Sequence, residues 1–311
     1  MSDPRGPLTV RVAGLSFRNP VLLAAGTAGF GREIAEVVDL SCLGGLTTKA
    51  VSRAPRVGAP APRVTDIAGG MLNAVGLANP GLEQVRDREL PWLVSRGDDL
   101  RVLVNVVGDA TDDFAAVVAG LETTPGVDAF ELNVSCPNVK AGGLEFGADP
   151  CALAEVVRAA RERTVRPIFV KLSPTLADLV ASARVAADAG ADGVTLVNTL
   201  PGLVVDVERR RPVLGFGTGG VSGAGLLPVG VLATWRVTRA IPIPVIGVGG
   251  VSTAEDALQY LLAGASLVGI GTAALRDPRL PERVVRGLER WCERHGVRSL
   301  SEIVGSLEWP A

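Results

Sequence analysis

The strongest constraint on this chain is a pattern repeated eight times: a short apolar run, a loop, and a stretch with helical spacing. The runs fall at 21–25, 45–48, 102–107, 129–133, 168–172, 193–197, 244–248 and 267–270. Their apolarity is nearly continuous rather than alternating, which suits strands of a parallel sheet covered on both faces. Between them, Phe114, Val117, Val118 and Leu121 recur at helical intervals, as do Ile34, Val37 and Val38, and the segment 82–93 fills the place after the second strand. Asp149-Pro150 supplies an N-cap and a first-turn proline ahead of Leu153, Val156 and Val157. Thr175, Leu176, Leu179 and Val180 open a helix ending at Gly190, Thr253 with Glu255 and Asp256 opens another, and Val284, Val285, Leu288 and Trp291 mark the last.

Eight such units in 311 residues predict an α/β fold of the (β/α)8 TIM barrel type, one domain spanning 1–311. An open, doubly wound sheet is the alternative. Within residues 1–19, the segment 8–17 with its turn at Ala13-Gly14 reads as a β-hairpin covering the barrel bottom. Connections entering strands are tight, as at Gly190-Ala191-Asp192 and Gly264-Ala265-Ser266. Those leaving strands two, four and six are long (about 49–81, 134–148 and 198–226) and rich in Gly, Pro and Asn. Long loops in a compact domain are usually functional, and these leave the strand ends where barrels keep their chemistry.

Charge and composition remove whole classes of function. Lys and Arg number 31 against 33 Asp and Glu, a net charge of −2 that argues against nucleic acid and against a polybasic membrane surface. The first twenty residues carry Asp3, Arg5, Arg11 and Arg18 and no apolar run of a signal peptide, and the long uncharged stretches are broken by glycines, so a cytoplasmic, non-membrane protein is expected. The one histidine, His295, sits in a charged C-terminal stretch after Glu293 and Arg294, which disfavours a Ser-His-Asp triad or a His-built metal site. Four scattered cysteines without a CxxC pair read as reduced thiols, with Cys42, Cys151 and Cys292 as inert buried residues.

Polar residues close the apolar runs: Lys49 after strand two, Asn105 in strand three, Asn133 ending strand four, Lys171 in strand five, and Asn198-Thr199 after strand six. One asparagine is an ordinary turn former, but several amides and two ammoniums on one rim describe a site for a planar, polar ligand. Lys49 and Lys171 are two of only three lysines among 31 basic residues, and each sits at a buried strand end, suited to an anion or an electron-rich ring. Gly249-Gly250 and Gly271-Thr272 follow strands seven and eight, where barrels bind phosphate; the helix opening at Ser252/Thr253 and the loop 219–223 add candidate amide donors. With no suitable histidine, Cys136 is the candidate proton acceptor, acting as thiolate.

In combination these residues resemble the class 1 dihydroorotate dehydrogenases. The resemblance is carried by Asn133-Val134-Ser135-Cys136-Pro137-Asn138-Val139-Lys140-Ala141-Gly142-Gly143, by Met71-Leu72-Asn73-Ala74-Val75-Gly76-Leu77, by Asn198-Thr199 and by Gly219-Gly220-Val221-Ser222-Gly223, and it runs from about residue 9 to 308. It implies FMN held at its phosphate by Gly223, Gly249, Gly250, Gly271 and Thr272. Lys171, Asn105 and Asn133 would lie near the ring, and Ala25, Lys49, Ala50 and Val197 would line it. Lys49, Asn73, Ala74, Val75, Gly76, Leu77, Asn133, Asn138, Asn198 and Thr199 would grip dihydroorotate. Cys136 would take the C5 proton while hydride passes from C6 to FMN N5, forming orotate for pyrimidine biosynthesis.

Cysteine at the base position and Lys140-Ala141-Gly142-Gly143 after it resemble the NAD-linked class 1B, whose FAD and [2Fe–2S] cluster belong to a partner subunit. A homodimer or heterotetramer is then expected. Departures are Ala25, where serine is common, and Ala59, where asparagine is common. Alternatives from the residues alone are a related FMN reductase of another pyrimidine ring, a noncatalytic binder of FMN or a pyrimidine, and a lysine-dependent Schiff-base or PLP barrel enzyme using Lys171.

Overall fold

The apolar runs become strands because each can bury both faces only inside a closed sheet. In the computed structural model, which describes residues 6–97, 99–135, 137–138 and 144–310, they form one parallel barrel. Strands one to eight are Val21–Leu23, Gly45–Thr47, Arg101–Val106, Ala129–Asn133, Ile168–Leu172, Gly193–Leu196, Val245–Val248 and Leu267–Ile270. Closure comes where Ile270 of strand eight pairs with Leu23 of strand one. The open-sheet alternative is thereby set aside.

Inward-facing residues recur every second position. The lowest interior layer is apolar: Leu22, Leu103, Ala129, Phe169, Ile246 and Leu267 pack with Val12 and Phe17 of the N-terminal hairpin. Glycine at two layer positions makes room for the large side chains, since a Cβ on Gly193 would lie 2.5 Å from the Phe169 ring and one on Gly45 2.7 Å from Leu22. The hairpin, Val10–Val12 with Leu15–Phe17, turns through Ala13 and Gly14, both at positive φ (48° and 81°), the twist that two-residue hairpins favour. It seals the barrel floor.

Helices wrap the outside. Thr111–Leu121 buries Phe114, Val117, Val118 and Leu121, and Pro150–Arg161 is capped by the Asp149 carboxylate accepting from the Cys151 and Ala152 amides. Leu179–Asp188, Leu227–Thr238, Ala254–Leu262 and Leu280–His295 complete much of the ring. Two segments differ from expectation. The 31–38 stretch forms successive turns rather than a regular helix, following left-handed Gly29 and Gly31. The helix after strand two passes from Leu82–Gln84 through a π-helical turn, Val85–Glu89, into Leu90–Ser95. Among the described residues no helix is long and apolar enough to cross a membrane.

The long loops build a second layer above the strand ends. Parts of the loops after strands two and six join in a four-stranded antiparallel sheet: Leu200–Gly202, Gly219–Gly223, Gly70–Asn73 and Val64–Ile67 in that order.

Candidate active site

Between the barrel rim and this roof sheet lies a cavity of about 410 Å3, within the range of roughly 300–1,000 Å3 typical of cofactor and substrate pockets. The strands deliver its polar groups by their period of two. Strand three places Leu103 in the floor layer and Asn105 above it; strand five does the same with Phe169 and Lys171, and strand four, with Ala129 in the floor, reaches the cavity two steps higher with Asn133. Asn105 and Lys171 are almost fully buried, and Lys171 pairs in register with Asn133 on one side and Thr195 on the other. Lys49 and Lys171 both line the cavity, and among the described residues neither has a carboxylate within ion-pair distance.

The amides form a connected rim. Asn198 Nδ2 donates to Asn133 Oδ1 at 3.3 Å, and Asn198 Oδ1 accepts from the Thr199 amide at 2.9 Å. Asn73 Nδ2 donates to the Gly220 carbonyl across the roof sheet at 3.2 Å. Gly220 has to be glycine here, because a Cβ would fall 2.0 Å from Thr199 Oγ1.

The opposite end of the cavity is lined by backbone. Gly223, Gly249 and Gly250 adopt positive φ, and a Cβ on Gly223 or Gly250 would come within 2.5 Å of the Gly70 or Leu227 backbone. The amides of Gly250, Gly271 and Thr272 meet no acceptor among the described residues. Tyr260, buried beneath, donates its hydroxyl to the Gly249 carbonyl at 2.8 Å; burial pushes that phenol above its ordinary range, so it stays a donor.

Most residues singled out from the sequence meet here: Ala25, Lys49, Ala50, Asn73, Val75, Leu77, Asn105, Asn133, Lys171, Val197, Asn198, Thr199, Gly223, Gly249, Gly250, Gly271 and Thr272 all line the cavity. Ala74 and Gly76 do not. The Ala74 amide donates to Arg63, and Gly76 packs on Ala59, so these alternate residues face away from the cavity. At the helix opening after strand seven, the Ser252 and Thr253 amides both donate to the Asp256 carboxylate at 2.9 Å. Cys136 and Lys140 lie outside the described residues, and of Asn138 only the backbone pairing with Leu144 is described.

Met71 and Ser222, from the quoted motifs, also line the cavity, as do Thr27, Leu226 and Leu275, which no sequence motif marks. Ser222 and Thr272 share a 2.8 Å hydrogen bond. Of the three cysteines read as inert and buried, Cys292 is buried, Cys42 half-buried and Cys151 exposed.

The profile of the dihydroorotate dehydrogenase family matches residues 7–291. The chain belongs to this family. Among similar members, the protein of Desulforudis audaxviator is 47% identical over 297 residues, 96% of each chain. That of Pelobacter propionicus is 46% identical over 301 residues, covering 97% of this chain and 98% of the relative. That of Geobacillus kaustophilus is 44% identical over 298 residues, 96% and 95% of the two chains. Each of the three is described as the catalytic subunit of dihydroorotate dehydrogenase B (NAD(+)). As a dihydroorotate dehydrogenase family member aligned along almost its whole length, the chain keeps its polar rim and its glycine-lined end in one cavity.

Proposed function

We propose that this chain is the catalytic subunit of an NAD-linked dihydroorotate dehydrogenase, a single FMN-binding barrel domain that oxidises dihydroorotate to orotate in pyrimidine biosynthesis. The observation that carries the reading is the meeting of Lys49, Asn73, Asn133, Asn198 and Thr199 with Lys171 and the 223, 249–250 and 271–272 backbone around one cavity.

The residues fit FMN. The unpartnered amides of Gly250, Gly271 and Thr272, with the close approach that glycine permits at 223 and 250, suit a phosphate. Buried Lys171, with no carboxylate in ion-pair contact among the described residues, suits the electron-rich edge of the ring, with Asn105 and Asn133 beside it. When bound, FMN supplies the acceptor for the hydride leaving C6.

The chain's own groups do the rest. Lys49 holds the substrate carboxylate, while Asn73, Asn133, Asn138, Asn198 and Thr199 hydrogen-bond the pyrimidine, with Val75 and Leu77 closing on it. Cys136, as thiolate, removes the C5 proton. A partner subunit carrying FAD and a [2Fe–2S] cluster, which passes electrons to NAD, completes the assembly.

A purified chain that stays colourless after incubation with FMN and removal of free flavin overturns this reading. In Cys136→Ala, bound FMN is retained but its single-turnover reduction by dihydroorotate slows by about 10²–10⁴-fold, the usual contribution of a general base. Unchanged reduction removes Cys136 from its role.

A further inference from the structure

Glu131 takes no part in the function proposed above, yet it is a carboxylate only 2% exposed inside the barrel. A charge so deprived of water ordinarily stands beside a cation. Here its oxygens take two neutral donors instead, Asn105 Nδ2 at 2.7 Å and Thr195 Oγ1 at 2.8 Å. The donors come from strands three and six, so the Glu131 side chain, starting on strand four, reaches inside the barrel past strand five. Its register partner there is Phe169, and Lys171 is the next inward residue on that strand. No lysine or arginine among the described residues lies within ion-pair distance of it.

An ionised carboxylate only accepts, so the NH2 of Asn105 has to face Glu131, and its Oδ1 has to point elsewhere. The Asn105 backbone is fixed as well, its amide donating to Thr48 Oγ1 at 3.2 Å. Since Asn105 lines the cavity, the group it offers a ligand is decided by a residue that does not line the cavity.

We propose that Glu131 is a positioning residue. It turns the Asn105 amide so that its carbonyl oxygen faces the cavity, and it sets a negative charge behind the floor of the site that opposes Lys171 and lowers the potential of the bound flavin. This rests on the FMN reading above.

The test compares FMN-loaded wild type, Glu131→Gln and Glu131→Leu by flavin midpoint potential and FMN dissociation constant. Glutamine keeps both hydrogen bonds, offering oxygen to Asn105 and NH2 to the Thr195 hydroxyl, and removes only the charge. Its two-electron equilibrium shifts about tenfold toward reduced flavin, roughly 30 mV more positive, with FMN affinity held within about threefold. Glu131→Leu also frees the Asn105 amide, and FMN binds at least about tenfold more weakly. A wild type that takes up no FMN overturns the cofactor assignment and this inference with it. A wild type that binds FMN while Glu131→Gln titrates at the same potential overturns this inference alone. Should Glu131→Leu not fold, the glutamine variant and its potential decide.

Discussion

The lowest interior layer of the barrel and the one directly above it come from the same strands, on the same face, two residues apart, and are opposite in chemistry. Below are Leu103, Ala129 and Phe169; above are Asn105, Glu131 and Lys171. The lower layer is closed by Val12 and Phe17 and offers no polar side chain, while the upper one holds a buried carboxylate, a buried ammonium and buried amides. Burying such groups costs free energy that apolar side chains would not. The apolar layer and the helices around it supply the stability that the polar layer spends, and a step of two residues along a strand separates folding from chemistry.

That division predicts mutations that act on one layer and spare the other. Phe169→Ala removes a buried ring from the floor and leaves a void against Gly193, so unfolding in urea is expected to lose about 3–5 kcal/mol. FMN affinity of the folded fraction stays within about threefold, and flavin loss in proportion to stability would break the separation.

Gly250→Ala works from the other side. Its φ of 74° and a Cβ 2.5 Å from the Leu227 amide nitrogen force the backbone to shift beside the amides assigned to phosphate. We expect FMN to bind about tenfold more weakly, alongside roughly 1–3 kcal/mol of strain. Gly97→Ala, also at positive φ (67°) but with open space around it, is the control: similar strain, unchanged FMN binding by fluorescence titration.

The smallest effect separates two cysteines. Cys42 lies at the floor end, where burial and then its bond to Asp39 push the thiol up to about 11. Because that value is raised, the thiolate is scarce below it, about one part in a thousand at pH 8, and grows only as pH climbs toward it. Iodoacetamide at pH 8 should therefore label Cys136 and exposed Cys151 at least about tenfold faster than Cys42, by peptide mass spectrometry. Asp39→Asn should quicken Cys42. Equal labelling of Cys42 and Cys136 would erase the contrast between the two ends.

What the sequence made legible follows the same line. Continuous apolar runs located all eight barrel strands, and the polar residues ending them located most of the cavity, because strand register and the barrel's working end follow from local pattern. The roof sheet was not legible. Its strands are short and glycine-rich, and Gly70–Asn73 pairs with Gly219–Gly223 in a register that no local pattern encodes. Glu131 stood in plain view within strand four, but its partners lie 26 and 64 residues away. The helix opening at Ser252/Thr253 was legible, but not that Asp256, the acidic residue marking it, also takes the Ser252 and Thr253 amides. The 31–38 segment shows apolar spacing without the backbone continuity to use it.

The shared ladder of the roof has an evolutionary consequence. Two excursions from different strands are spliced into one sheet, so neither can change length by itself: a deletion within 64–73 would strip partners from 219–223 and leave an unpaired edge above the cavity. Variation among descendants of this chain should therefore come in paired adjustments of the two loops, with the barrel beneath indifferent to both.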